Sequence, residues 1–232
     1  MRPALGCVLL AGCATVTPMQ TASAVEAGHL RVGAQASTAG YCGSFDGPVP
    51  TDCTEYPDGL PLPELRINAR HGLPQHSDVG LSLQIAGQLD APNRPLQSGL
   101  TFEGKRELWS SHSGPRQILS VAVLLAAAAS GRLRLAPYLQ YEWGVSLFYG
   151  VQTARFEWVA GVSVSRRTLF NQVGVPSALP VLESERVGVT LGLFRRAPAG
   201  WGLQLGYLTD PARFGRGALQ LQYGVFWDLA PH

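Results

Sequence analysis

Between Glu64 and Glu107 the chain alternates with a period of two, and the polar half of the alternation is partly ionisable. Val79, Leu81, Leu83, Ile85 and Leu89 share one face; Gly80, Ser82, Gln84, Ala86 and Gln88 share the other. Glu64, Arg66, Asn68 and Arg70 alternate with Leu65, Ile67 and Ala69, and Glu103, Lys105 and Glu107 alternate with Phe102, Gly104 and Leu108. Successive side chains on a strand point to opposite faces, so the pattern predicts strands with one apolar and one charged face. Such strands must sit where the two faces meet different surroundings.

The alternation predicts strands along the rest of the chain. The first runs from His29 to Ser37, followed by a long loop at 38–62 rich in Gly, Pro and Asp. Glu64 to His71, Val79 to Leu89 and Gly99 to Leu108 are the next three. Ile118 to Ala129 is the most apolar run. It is too short for a transmembrane helix, which needs about 20 apolar residues, and it suits either a strand or a buried helix. A tight turn at Ser130–Arg132 leads to a sixth strand, with Leu133, Leu135, Leu139, Tyr141 and Trp143 on its apolar face. From Val145 to Arg166 the apolar phase switches from odd to even residues. One long bulged strand explains the switch and is preferred; a hairpin turn near Gln152–Arg155 explains it equally. After a loop at 167–182, Val187–Leu193, Trp201–Tyr207 and Leu219–Trp227 complete the set.

About ten strands, with eight to twelve possible, and no strong helix predict an all-β fold: a single antiparallel up-and-down β-barrel. Charged residues make up 15 % of the 232, well below the share usual in soluble domains. The net charge of +2 carries no basic bias towards nucleic acid. A soluble barrel buries its apolar face, whereas a membrane barrel turns it to lipid. Three observations favour the membrane arrangement. The polar face carries many ionisable residues. Long and short connections alternate. Trp143, Trp201 and Trp227 fall in the apolar phase at the ends of strands six, nine and ten, with Trp109 just past the end of strand four. Together these four form an expected aromatic girdle.

The N-terminus adds a location. Arg2 precedes an apolar run from Ala4 to Leu10, and Leu10-Ala11-Gly12-Cys13 resembles the lipobox of bacterial lipoproteins. That resemblance implies a signal peptide at 1–12, a lipid, palmitate included, on Cys13, and a lipidated tether at 13–27. Ala14 in place of Asp leans towards outer-membrane sorting. In such an oxidising compartment Cys42 and Cys53, which flank a turn-rich segment, are an expected disulfide. From its patterning and the runs Pro63–Leu73 and Asp78–Leu83, the chain at 28–229 resembles small bacterial outer-membrane β-barrel proteins. The resemblance implies termini in the periplasm. The implied partners are outer-membrane lipid and the barrel-assembly and lipoprotein-sorting machineries; no partner protein is identified.

In that arrangement Arg31, Arg66, Arg70, Lys105 and Arg134 line the lumen opposite Glu64, Glu103, Glu107, Glu142 and Glu157. Equal numbers of each sign predict a paired lattice and a plugged lumen rather than a selectivity ring. The expected role is therefore structural or interactive. A periplasmic soluble barrel binding an apolar ligand and a narrow small-solute channel are the alternatives. No catalytic constellation is expected. His29, His71 and His76 with Asp78, Ser77 and Ser82 read as solvated rim residues, although a lipid-modifying hydrolase would need such a group. No phosphate loop, nucleophile elbow, Cys-x-x-Cys or His-x-x-x-His spacing occurs, so neither cofactor nor metal is expected.

Overall fold

Ten strands follow in chain order: β1 (Leu30–Cys42), β2 (Leu62–Leu73), β3 (Ser77–Ala86), β4 (Gln97–Ser111), β5 (Arg116–Arg132), β6 (Leu135–Gln152), β7 (Phe156–Asn171), β8 (Leu182–Arg195), β9 (Ala199–Thr209) and β10 (Gly217–Leu229). The computed structural model describes residues 18–42, 62–86, 97–111, 114–132, 135–171, 182–196, 198–209 and 217–230. Each strand pairs antiparallel with its chain neighbour, and β1 pairs with β10 from Leu30↔Leu229 to Cys42↔Gly217, so the sheet closes. Closure leaves no edge strand with unpaired backbone groups.

β1 starts and β10 ends at one end of the barrel, here the turn end, where the β2–β3 turn at 74–76 and the β6–β7 turn at 153–155 also lie. β1 and β3 end, and β2 and β4 start, at the other. In the β2–β3 turn, Gln75 and His76 both adopt positive φ, at 61° and 51°, a conformation in which glycine or asparagine is usual.

The strands place their apolar residues outside. Ile67, Leu83 and Leu191 are 68 %, 59 % and 64 % exposed, while Glu64, Arg66, Glu103 and Lys105 are buried inside. The soluble-barrel alternative requires the opposite orientation, with Leu81, Leu83 and Leu205 inward; all three are exposed, which overturns it. Most of the buried apolar residues form a small cluster within the barrel: Met19, Ala22, Ile118, Ala122, Phe148, Val159, Phe194 and Phe226.

Four expectations are corrected here. The stretch 145–166 is not one bulged strand. β6 continues to Gln152, a three-residue turn follows, and β7 starts at Phe156. The turn has no glycine. Thr153 closes it instead, its N–H donating to the Phe156 carbonyl at 2.8 Å and its hydroxyl accepting from the Phe156 N–H at 3.1 Å. The last pair of this hairpin is Gln152 with Glu157, so an even number of residues separates the paired positions and the phase switches. Second, Ser130–Arg132 belongs to β5. The run Ile118–Ala129 is thus strand and not helix, its inward face holding Ser120, Ala122 and Ala128.

Third, Trp143 is not at the turn end. It lies within β6, opposite Leu125 and Arg166. Trp158 takes the expected level instead, two residues into β7, alongside Trp109, Trp201 and Trp227. A register shift between Glu107 and Trp109 puts both Leu108 and Trp109 on the outer face. Fourth, the stretch 18–27, expected as part of a tether, packs against the inward face of the barrel. Residues 18–23 and Val25 are buried.

Candidate functional site

The lumen is built from alternate residues of every strand, so its chemistry follows from strand parity. Near the turn end Asp78 is the centre. It is the second residue of β3, in the same phase as Gly80, Ser82 and Gln84, and its side chain is fully buried. Arg70, across the β2–β3 pair, reaches Asp78 through Nε at 3.0 Å and also through Nη2, while its Nη1 donates to Glu103 on β4. Lys105 approaches Asp78 from the other side at 3.4 Å. Farther along, Arg66 pairs with Glu64 at 2.8 Å and donates to Gln84 at 2.6 Å. Glu142 accepts from Ser165 at 2.8 Å and faces Arg167 at 3.5 Å. At the mouth, Arg31 grips Asp228 with two nitrogens, and Arg116 pairs with Glu107 at 2.7 Å.

Nine of the ten expected lattice residues thus have a place in the lumen: Arg31, Glu64, Arg66, Arg70, Glu103, Lys105, Glu107, Glu142 and Glu157. Arg134 lies outside the described residues. Asp78, Arg116, Arg167 and Asp228 were not among those expected. The alternation itself could have located Asp78, because it shares the even phase of the polar face of β3.

The less expected part is what the carboxylates hold. Glu157, fully buried on β7, accepts the backbone N–H of Ala22 at 2.6 Å and of Ser23 at 2.9 Å, and the Ser23 hydroxyl at 2.7 Å. Glu107 accepts the Ala24 N–H, and Asp78 accepts the Val25 N–H, each at 2.9 Å. Three strands therefore present three carboxylates to four consecutive backbone amides. Lys105 completes the grip by donating to the carbonyls of Thr21 at 3.1 Å and Ser23 at 2.7 Å. Deeper in, Gln204 accepts the Gln20 N–H at 3.2 Å. Hydrogen bonds with an ionised partner are the stronger kind, and here they also satisfy charges that burial would otherwise penalise.

Glycine on two strands makes room for this segment. A Cβ at Gly150 would stand 2.6 Å from the Ala22 Cβ, and one at Gly72 would stand 1.9 Å from the Glu26 carbonyl oxygen. The second clash is with backbone and cannot be relieved by a rotamer. Ser23→Cys, in a background with the native cysteines replaced by serine, is therefore expected to react slowly with a soluble maleimide. Adding Gly72→Val should raise the labelling rate by about tenfold or more, because the seat is lost. Equal rates in the two variants would show that the segment is not held there.

The remaining candidates do not converge on chemistry. His71 is on the outward face of β2, and His76 is exposed in the turn, 3.9 Å from Glu107. Ser77 donates its hydroxyl to the Pro74 carbonyl. Among the described residues no cluster of His, Cys, Asp and Glu could hold a metal. Cys13, Cys53, His112 and His232 lie outside the described residues, as does the expected signal peptide at 1–12; Cys42 ends β1.

No protein-family model and no curated protein matches the chain. Among solved structures the barrel is similar to Neisserial surface protein A, at 13 % identity and a TM-score of 0.38, over 85 % of this chain and 96 % of that one. It is similar to the translocator domain of the autotransporter NalP from Neisseria meningitidis, at 10 % identity and a TM-score of 0.42, over 95 % and 92 %. LpxR from Salmonella typhimurium matches at 9 % identity and a TM-score of 0.38, over 85 % and 99 %.

Proposed function

We propose that this chain is an outer-membrane β-barrel, anchored by lipid at Cys13, whose lumen is closed by its own residues 18–27 and by a lattice of paired charges. Its role is structural or interactive, and it does not conduct solutes. The observation that carries this reading is the capture of residues 22–25 by Glu157, Glu107 and Asp78. The outward apolar band supports the membrane: on β8, Val187, Val189, Leu191 and Leu193 face out between Glu185 and Arg195. Trp109, Trp158, Trp201 and Trp227 form one girdle in this reading. Trp143 and Tyr141, nine to eleven residues from the end of β6, contribute to the opposite one. The turn end, which holds both chain ends of the barrel, is the periplasmic side. Outer-membrane lipid and the assembly and sorting machineries are the partners this implies.

The full chain, purified and inserted into planar bilayers, is expected to show no unitary conductance. Steps of defined size from the unmodified chain would replace the closed reading with the small-solute channel. On the same preparation, palmitate incorporated during expression should be present and should be absent from Cys13→Ala. Equal incorporation in both would remove the lipid anchor from the proposal.

A further inference from the structure

A second cluster lies at the turn end between β7, β8 and β9, with Arg195 and two rings on the outside and Arg196 on the rim, where it also lines the mouth of the lumen. Arg195 is in register with Phe156 on one side and Trp201 on the other, and all three are in the outward phase of their strands. The two rings meet edge to face, with centroids 6.4 Å apart. The Arg196 N–H donates to the Arg155 carbonyl at 2.7 Å, which ties the β6–β7 turn to the end of β8. The three arginines and two rings line one notch. Arg155, Arg195 and Arg196 are all exposed, and none of them pairs with a carboxylate among the described residues. Glu157 and Asp228 attract Arg196 across the mouth without forming an ion pair with it. Glu157 holds Ala22 and Ser23, and Asp228 holds Arg31.

We propose that this notch binds the phosphate headgroup of an anionic phospholipid. The inference rests on the reading of the exterior as lipid-facing. Guanidinium groups match phosphate oxygens in pairs, and a cluster of three arginines with no ion pair among the described residues favours a headgroup with net negative charge. Aromatic rings beside the arginines fix the level of the membrane interface. The next outward row towards the apolar band is Trp158, Leu193 and Leu203, paired in register across the same three strands. That row offers the acyl chains an apolar bed directly beyond the headgroup site.

The test uses the full chain in nanodiscs of equal phosphatidylglycerol and phosphatidylcholine with identical acyl chains. Mild extraction and native mass spectrometry then count the lipids retained. Phosphatidylglycerol should be retained about tenfold over phosphatidylcholine. The triple variant Arg155→Gln, Arg195→Gln, Arg196→Gln should return the ratio to that of the bulk lipid, and Arg195→Gln alone should fall between. Arg106→Gln, an exposed arginine on β4, should change nothing. Excess inorganic phosphate should leave retention intact; loss of retention in phosphate would overturn the lipid as the source of the headgroup. A chain that inserts and retains lipids in the bulk ratio overturns this site alone. A chain that does not insert overturns the lipid-facing reading with it.

Discussion

Asp78→Ala is expected to destabilise the folded barrel by about 3–5 kcal/mol in urea unfolding from lipid vesicles, the scale of breaking a buried ion pair. The size follows from what Asp78 holds. Arg70 and Lys105 both face it, and the Val25 amide donates to it, in a site where the side chains of Asp78 and Lys105 are buried. Removing the carboxylate leaves Arg70 with Glu103 alone and Lys105 with only neutral carbonyl and hydroxyl partners among its hydrogen bonds. The cost thus comes mainly from the cations left behind. A carboxylate on a solvated rim would contribute at most about 1 kcal/mol. Unfolding free energies of the two proteins decide between these, and a loss below about 1 kcal/mol would mean that Asp78 belongs to the rim. Arg70→Met combined with Asp78→Ala should cost less than the sum of the single changes, since one mutation removes the charge that the other orphans.

How much of this was legible in the sequence depends on whether a feature is carried by side chains. Period-two alternation is a side-chain pattern, and it located the strands, their faces and most of the charge lattice, because a strand cannot shift by one residue without turning every side chain over. Asp78 was legible by the same rule, but its neighbours His76 and Ser77 drew it to the rim. The β6–β7 turn was ambiguous because Thr153 supplies hydrogen bonds where glycine or proline would have marked the sequence. Trp143 was placed at the wrong level as a consequence, since its distance from the turn depends on where β6 ends. Residues 18–27 carried no readable pattern. The barrel holds them through their amides and carbonyls, and Ala22, Ser23 and Ala24 are small enough to fit. Recognition of a backbone leaves almost no trace in the choice of side chains.

Leu191→Arg is the change with the largest expected cost on the outside of the barrel, about 2–4 kcal/mol. Leu191 faces outward from β8, flanked in register by Ala160 on β7 and Leu205 on β9. Along the same face, Glu185 and Arg195 bracket the apolar residues. The strand rises about 3.3 Å per residue, so the bracket spans roughly 33 Å along β8. With the tilt of about 40° usual in membrane barrels, the height is about 25 Å, the thickness of their apolar band. Leu191 lies near the middle of that height, where an arginine can reach neither interface without bending the bilayer. Leu193→Arg, one outward position nearer Arg195, should cost about 1 kcal/mol or less because its side chain can snorkel to the headgroups. The depth dependence is the informative part, measured as the difference between the two variants in unfolding free energy from vesicles. On a water-facing surface both substitutions would fall within about 0.5 kcal/mol of the unmodified chain. That outcome would remove lipid from the outside of the barrel, and the phospholipid notch at Arg155, Arg195 and Arg196 would go with it.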